Sequence, residues 1–158
     1  MMQRSNNEII DANIDDIHDI MHIMNSAFDP QFGEAWTFSQ CMSMMAMPRN
    51  MMMISYQQGQ AAAFAILRVI MDEAELMMLG VHRDFQRKSL GSQLMQAIED
   101  RLNNQNISTI FVEVRENNPA LIFYENHGFS EFGRRKNYYK GIMGKQFDAI
   151  TMAKSLFY

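Results

Sequence analysis

Cysteine is almost missing from this sequence: Cys41 is the only one among 158 residues. A lone cysteine cannot close an internal disulfide, so nothing is stapled and a reducing compartment is compatible. Proline is scarce too, at three residues, and glycine supplies only eight. No Pro/Gly-rich linker, repeat or low-complexity tract divides the chain, which is expected to form one domain over residues 1–158. Apolar runs are broken well before the ~18 residues that a membrane span needs. The stretch from Met1 to Glu8 lacks the apolar segment of a signal peptide. The expectation is a cytoplasmic protein that does not engage membranes. Basic residues are outnumbered, 14 Lys and Arg against 18 Asp and Glu, for a net charge of −4. That balance argues against a nucleic-acid binder and mildly favours cationic partners such as amines or basic peptides.

Methionine, in contrast, is abundant, with 17 residues. Clusters such as Met42-Ser43-Met44-Met45 and Met51-Met52-Met53 offer thioethers that suit Cu(I), but methionine as flexible core filler is the simpler reading. His18 and His22 stand at i and i+4, as in the zinc-binding H-E-x-x-H helix. Aspartate replaces the glutamate and no convincing third ligand follows, so no metal is expected. Cys41 has no sequence partner suggesting a nucleophile, and burial in a helix is its default.

Asn13 has the chemistry of an N-cap, followed by Asp15 and Asp16 in a first turn. Ile14, Ile17, Met21, Met24 and Phe28 then recur at helical spacing. Thr37 caps a short second helix carrying Phe38, Cys41, Met42 and Met45, stopped by Pro48. Residues 51–56 and 61–71 read as a hairpin around Gln58-Gly59, and Glu75 to Val81 as a third strand after the turn Asp72-Glu73. A polar segment over 82–91 opens into a helix with Leu90, Leu94, Met95, Ile98 and Leu102 on one face. Residues 108–114 are the next strand. Pro119 begins a helix that Gly128 ends, and Phe129 to Arg135 and Phe147 to Ser155 are closing strands. The order predicts an α/β or α+β domain, a mixed and mostly antiparallel sheet flanked by helices.

The junction from Leu79 to Leu94 is the segment richest in chemistry. A basic loop running straight into a helix presents unpaired backbone N–H groups at the positive end of the helix dipole, which suits a pyrophosphate. Gly91 allows close approach and Ser89 is small. The composition equally fits a solvated turn, and neither a P-loop nor a G-x-G-x-x-G fingerprint is present.

The run Gly80-Val81-His82-Arg83-Asp84-Phe85-Gln86-Arg87-Lys88-Ser89-Leu90-Gly91 resembles the acetyl-CoA motif Q/R-x-x-G-x-G/A of the GNAT acetyltransferase superfamily. Val112-Glu113-Val114-Arg115, Asn118-Pro119-Ala120 and Phe123-Tyr124-Glu125-Asn126-His127-Gly128-Phe129 are similar to its second half. Asp72-Glu73-Ala74-Glu75-Leu76, Arg134-Arg135-Lys136-Asn137-Tyr138-Tyr139 and Phe147-Asp148-Ala149-Ile150 resemble the RimI-type ribosomal-protein-alanine acetyltransferases, with Glu34-Ala35-Trp36-Thr37 a weaker echo. The resemblance spans roughly residues 60–155.

This resemblance implies a GNAT fold and an enzyme moving acetyl from acetyl-CoA to a primary amine, by direct transfer in a ternary complex. The acceptor it favours is a protein N-terminus. It implies that Leu79, Gly80 and Val81 pair with the pantetheine arm and that Arg87, Lys88, Ser89, Leu90, Gly91 and Ser92 cradle the pyrophosphate. Asn118, or Asn117 if the spacing is one shorter, would hold the cofactor near the splayed strand. Glu113 would be general base, Tyr124 general acid, and Tyr138 and Tyr139 would line the peptide groove. Ser89 replaces the first motif glycine, a departure expected to tighten the loop and weaken cofactor binding modestly.

The residue types suit that chemistry. An attacking amine must lose a proton to a carboxylate, the oxyanion needs an N–H such as that near Val81, and the departing thiolate needs a proton. Plainer readings stand beside these roles: Glu113 and Arg115 share a strand face and can pair as ions, and an aromatic beside Leu121 on a helix is usually core. His127 suits a helix C-terminus, and Arg134-Arg135-Lys136 suits a solvated charge run. Carboxylates look too scattered for a polyamine site. The rivals are a GNAT enzyme acting on a small amine or lysine, and a non-catalytic acyl-CoA-binding protein.

Overall fold

The computed structural model describes residues 7–29, 33–141 and 143–157. The start of the chain up to Asn6, read above for a signal sequence, lies outside the described residues. In chain order the elements are β1 (Asn7–Asp11), α1 (Ile17–Ala27), α2 (Phe38–Met45), β2 (Met51–Gln57), β3 (Gln60–Ile70), β4 (Glu73–Val81), α3 (Leu90–Asn104), β5 (Thr109–Arg115), α4 (Ala120–Asn126), β6 (Ser130–Lys140) and β7 (Gln146–Ser155). The strands make one seven-stranded sheet in the order β1-β2-β3-β4-β5-β7-β6. Every neighbouring pair is antiparallel except β4 and β5, which the α3 crossover makes parallel. The α/β expectation of a mixed, mostly antiparallel sheet with flanking helices is met. Among the described residues, no helix is long and apolar enough to cross a membrane.

Each face of the sheet has its own core. Leu90, Leu94, Met95, Ile98 and Leu102 of α3 are all buried against Ala63, Ala65, Leu67, Ala74, Leu76, Ile110 and Val112. Each such aliphatic side chain contributes roughly 1.5–3 kcal/mol on leaving water. On the other face α1 and α2 bury Ile17, Ile20, Ile23, Met24 and Cys41 against Ile54, Phe64, Ile66 and Met78. The methionines serve here as core filler, with Met24, Met52 and Met78 buried and Met42 and Met45 packed at the margin.

The start signals hold locally. Asn13 makes a capping box with Asp16, opening a 3₁₀ turn at Ile14–Asp16 that leads into α1. Thr37 does the same with Gln40 at the head of α2. Ile14, expected on the buried face, is exposed, because that first turn is 3₁₀ and α1 centres its face on Ile20 and Ile23 instead. The turn before β4 falls at Met71-Asp72, one residue earlier than expected, with Met71 left-handed at φ 54°. Strand β1 was not expected at all; it pairs with β2 from Asn7↔Gln57 to Asp11↔Met53.

One irregularity positions everything downstream. Between Ile66↔Met78 and Leu67↔Leu76 the β3–β4 register slips, leaving Met77 as a bulge. A bulge bends its strand and resets the side-chain alternation. Ala74 and Leu76 face the α3 core before it, and Leu79 and Val81 pack toward that core after it. Gly80 is turned to the α1 side, where a Cβ would meet Phe64 at 2.8 Å and Ala27 at 3.1 Å.

The loop after β4 holds Arg87 and Ser89 left-handed, at φ 62° and 59°. An L-residue there costs roughly 1–2 kcal/mol, which glycine avoids. Ser89→Gly is therefore expected to raise the unfolding free energy by up to about 1 kcal/mol, the flexibility of glycine in the unfolded chain offsetting part of the relief. Urea denaturation of the two proteins checks this; an unchanged or lowered midpoint would contradict the strain.

Candidate active site

Parallel pairing of β4 with β5 runs only from Glu73↔Thr109 to Leu76↔Val112. Past that point β4 stays with β3 as far as Val81↔Ala63, and β5 stays with β7 as far as Arg115↔Ala149. The strands diverge, and the bulge at Met77 follows the last shared pair directly. Two cavities open into the resulting wedge, and both are lined by Leu79, Ala120 and Tyr124.

The first cavity, about 330 Å³, is walled by Val81, Phe85, Arg87, Ser89, Gly91, Ser92 and Phe123. It lies at the head of α3, whose first helical bond runs from Gln93 N–H to the Ser89 carbonyl at 3.0 Å. Helix geometry thus leaves the N–H groups of Leu90, Gly91 and Ser92 without an intrahelical acceptor. Alternating hand at Arg87 to Ser89 is the backbone shape of an anion nest. Gly91 allows α4 to close in, since a Cβ there would sit 3.2 Å from the Phe123 ring. Donors, dipole and the Arg87 charge have the chemistry that suits a phosphate-bearing ligand.

The second cavity, about 450 Å³, gathers Glu34, Trp36, Glu75, Leu79, Glu113, Asn118, Tyr124, Tyr138 and Tyr139. Tyr124 is 5 % exposed, edge-on to Phe129 and Phe123, and burial pushes its phenol well above the ordinary tyrosine range. Tyr139 is likewise pushed up, first by burial and then by the negative charges of Glu113 and Glu34, which line the same cavity. Both phenols therefore keep their protons at neutral pH, while Glu113 faces Arg135 at 3.8 Å. Asn118 caps α4 by accepting from Ala120 N–H at 2.9 Å.

The expected site residues divide as follows. Glu113, Asn118, Tyr138 and Tyr139 share the larger cavity, and Val81, Arg87, Ser89, Leu90, Gly91 and Ser92 the smaller, with Leu79 and Tyr124 in both. Gly80 and Lys88 line neither: Gly80 packs under α1, and the Lys88 ammonium sits 5.4 Å from the Phe85 ring centre. Asn117 is held by the Arg115 guanidinium, leaving Asn118 as the cavity residue.

Several plainer readings change. Arg115 pairs with Glu34 at 2.8 Å and not with Glu113. Arg134 is no loose surface charge: it contacts Glu116, Glu131 and Asp148. Asp148, which also accepts from Asn137 N–H, is held below the usual carboxylate range by that bond first and Arg134 second. These contacts sit beside the register shift of the β6–β7 pairing between Arg135 and Tyr139. The carboxylates are not scattered: Glu34, Glu75 and Glu113 converge on one cavity, although each meets an arginine, Arg115, Arg68 and Arg135 respectively. Cys41 is fully buried, its thiol pushed up to about 11. His22 stacks on His82, with ring centroids 4.8 Å apart. Glu34, Trp36 and Glu75 were not anticipated as site residues; Glu34 and Trp36 lie in the upstream segment whose resemblance was faint.

Known proteins extend the picture. The model of the acetyltransferase (GNAT) family matches residues 17–129. The [ribosomal protein bS18]-alanine N-acetyltransferase of Escherichia coli K12 is 44 % identical over 98 residues, covering 61 % of this chain and 66 % of that protein, just under two thirds of its length. The enzyme of the same name from Salmonella typhimurium is 45 % identical over 93 residues, 58 % of this chain and 62 % of its own. The crystal structure of the E. coli ribosomal-protein-S18-alanine N-acetyltransferase superposes with a TM-score of 0.86 at 34 % identity, over 96 % of this chain and 95 % of that one. A family model matching most of the chain and a superposition covering nearly all of it lead to one assignment: the chain belongs to the acetyltransferase (GNAT) family.

Proposed function

We propose that this chain, acting as one domain in the cytoplasm, transfers acetyl from acetyl-CoA to the α-amine of a protein N-terminus that begins with alanine or another small residue. The N-terminus of ribosomal protein bS18, named in its relatives, is the first candidate acceptor. The observation that carries the reading is the wedge between β4 and β5, with an anion seat at one mouth and Glu113, Tyr124 and Tyr139 at the other.

Acetyl-CoA supplies the activated acyl group as a thioester. The residues present fit it: Arg87 and the Leu90 to Ser92 amides would hold the pyrophosphate, while the edge of β4 that β5 leaves near Leu79 would accept the amide-bearing arm, the Val81 carbonyl exchanging its 3.2 Å bond from Gln86 Nε2. Ser89 already adopts the left-handed shape for which glycine is used, so the replacement costs stability and leaves the nest intact. Glu113 takes the proton of the attacking amine, with the Arg135 guanidinium 3.8 Å from its carboxylate. Tyr124, protonated and buried where both cavities meet, delivers a proton to the leaving group.

The cavity chemistry favours an N-terminus over a polyamine. Its three carboxylates are each offset by arginine, so no bare cluster awaits a polycation. Tyr138 and Tyr139, edge-to-face at 5.3 Å, offer flat apolar area with hydroxyls for a peptide backbone. An α-amine, with a pKa of ~7.7–8.0 against ~10.4 for lysine, also presents more neutral nucleophile at pH 7.

Thiol release from acetyl-CoA across N-terminal peptides, internal-lysine peptides and small amines tests this function. Turnover is expected with peptides beginning in alanine or serine; activity restricted to polyamines or lysine side chains would overturn the acceptor, and silence with acetyl-CoA bound would favour a non-catalytic role. Tyr124→Phe keeps the ring packing and removes the proton, so kcat is expected to fall roughly 10²–10⁴-fold with cofactor affinity little changed. Wild-type turnover by that variant across pH would make Tyr124 purely structural.

A further inference from the structure

Ser92 and His127 join the two helices that flank the anion seat. Ser92 is the third residue of α3, and its Oγ lies 3.1 Å from His127 Nε2. The other ring nitrogen, Nδ1, lies 2.7 Å from the Phe123 carbonyl oxygen. The imidazole also rests against the Phe123 ring, with centroids 4.2 Å apart. Phe123 and Ser92 both wall the 330 Å³ cavity.

The hydrogen-bond inventory leaves little freedom. A carbonyl oxygen only accepts, so Nδ1 carries a hydrogen whichever state the ring is in. In the neutral ring Nε2 then has only a lone pair, and Ser92 must spend its hydroxyl hydrogen on it. In the imidazolium Nε2–H donates instead, Ser92 Oγ accepts, and the hydroxyl hydrogen is released to point elsewhere. A phosphate oxygen likewise only accepts. Beside the neutral ring it would meet serine lone pairs; beside the charged ring it would meet an O–H donor backed by a positive charge.

We propose that His127 is a positioning residue that makes pyrophosphate binding proton-coupled: one proton taken from solvent by the imidazole turns Ser92 from a donor to His127 into a donor to phosphate. This rests on reading the loop as the acetyl-CoA site. The other charged groups around this corner are Arg87 and Lys88 from the loop, Glu125 on α4, and Lys154 of β7, whose Nζ would lie 3.5 Å from a Cβ at Gly128. Lys154 is engaged by Glu99 of α3 at 2.5 Å. The sign follows directly. The bonus belongs to the protonated ring, so affinity is greatest at the acidic end of the histidine range and declines as pH rises through it.

Calorimetric titration with 3′-dephospho-CoA tests the coupling, because removing the 3′-phosphate removes a ligand group that titrates over the same pH. Between about pH 5.5 and 7.5 wild-type affinity is expected to drop about tenfold, a charge-assisted hydrogen bond's share. Net proton uptake should appear on comparing buffers of different ionisation enthalpy. His127→Gln and Ser92→Ala should both bind with a flat pH profile and without proton uptake. Ser92→Ala leaves the imidazole and its Phe123 contacts in place, so its profile is informative even if His127→Gln destabilises the fold. An equal slope in wild type and Ser92→Ala, or wild-type binding without proton uptake, overturns the coupling. Failure of the wild-type protein to bind either CoA or 3′-dephospho-CoA overturns the cofactor reading beneath it.

Discussion

Two neighbouring strands that cease to be neighbours create this site. Strand β4 shares four residue pairs with β5, from Glu73↔Thr109 to Leu76↔Val112, and each strand then follows its other partner. A parallel pair normally satisfies its backbone all along its length; here the pairing is abandoned on the buried side of a sheet, where unpaired N–H and C=O groups cost most. The Met77 bulge makes the divergence possible by bending β4 where the pairing ends and by turning Leu79 and Val81 toward the cavity. An edge left open inside a sheet is a natural place for an extended, amide-bearing ligand to take up the missing role.

The two mouths of the wedge differ in electrostatic character. At one, helix α3 supplies unpaired amides and its dipole, with the left-handed residues Arg87 and Ser89 folding the loop over them. At the other, charges are present but matched: Glu34, Glu75 and Glu113 each meet an arginine, and the two tyrosines supply neutral donors. The Arg115–Glu34 pair links the end of β5 to the segment between α1 and α2, with the guanidinium largely buried and 5.8 Å from the Phe147 ring centre. The larger cavity is thus assembled from four distant stretches of chain, whereas the lining at the head of α3 is drawn largely from one continuous segment.

That difference explains what could be read beforehand. The loop from Arg87 to Ser92 and the face of α3 are local, set by helix periodicity, a basic run and one glycine, and they were legible. Glu113, Tyr124 and Asn118, singled out by short motifs at fixed spacing, do line one cavity. Strand β1 was not legible, because Asn7–Asp11 holds only Ile9 and Ile10 as apolar residues and its existence depends on the edge that β2 offers. The convergence of carboxylates was missed for the same reason: Glu75 lies opposite Phe111 only through the β4–β5 register, and Glu34 arrives from another layer. The contact between Ser92 and His127 bridges helices separated by β5, and its two residues carry no recognisable spacing. Gly80 was read with Leu79 and Val81 as a backbone partner of the pantetheine arm; the bulge at Met77, which was not foreseen, turns its Cβ direction to Phe64 and Ala27.

The central claim is that the unpaired edge of β4 and the head of α3 together hold acetyl-CoA. Amide hydrogen exchange with and without saturating acetyl-CoA measures this directly, because it reports which backbone groups gain partners. The account predicts slowed exchange concentrated in Met77 to Val81 and in Leu90 to Ser92, with little change in β1, β2 or α2. Binding that protects other segments and leaves both of these stretches unchanged would contradict it.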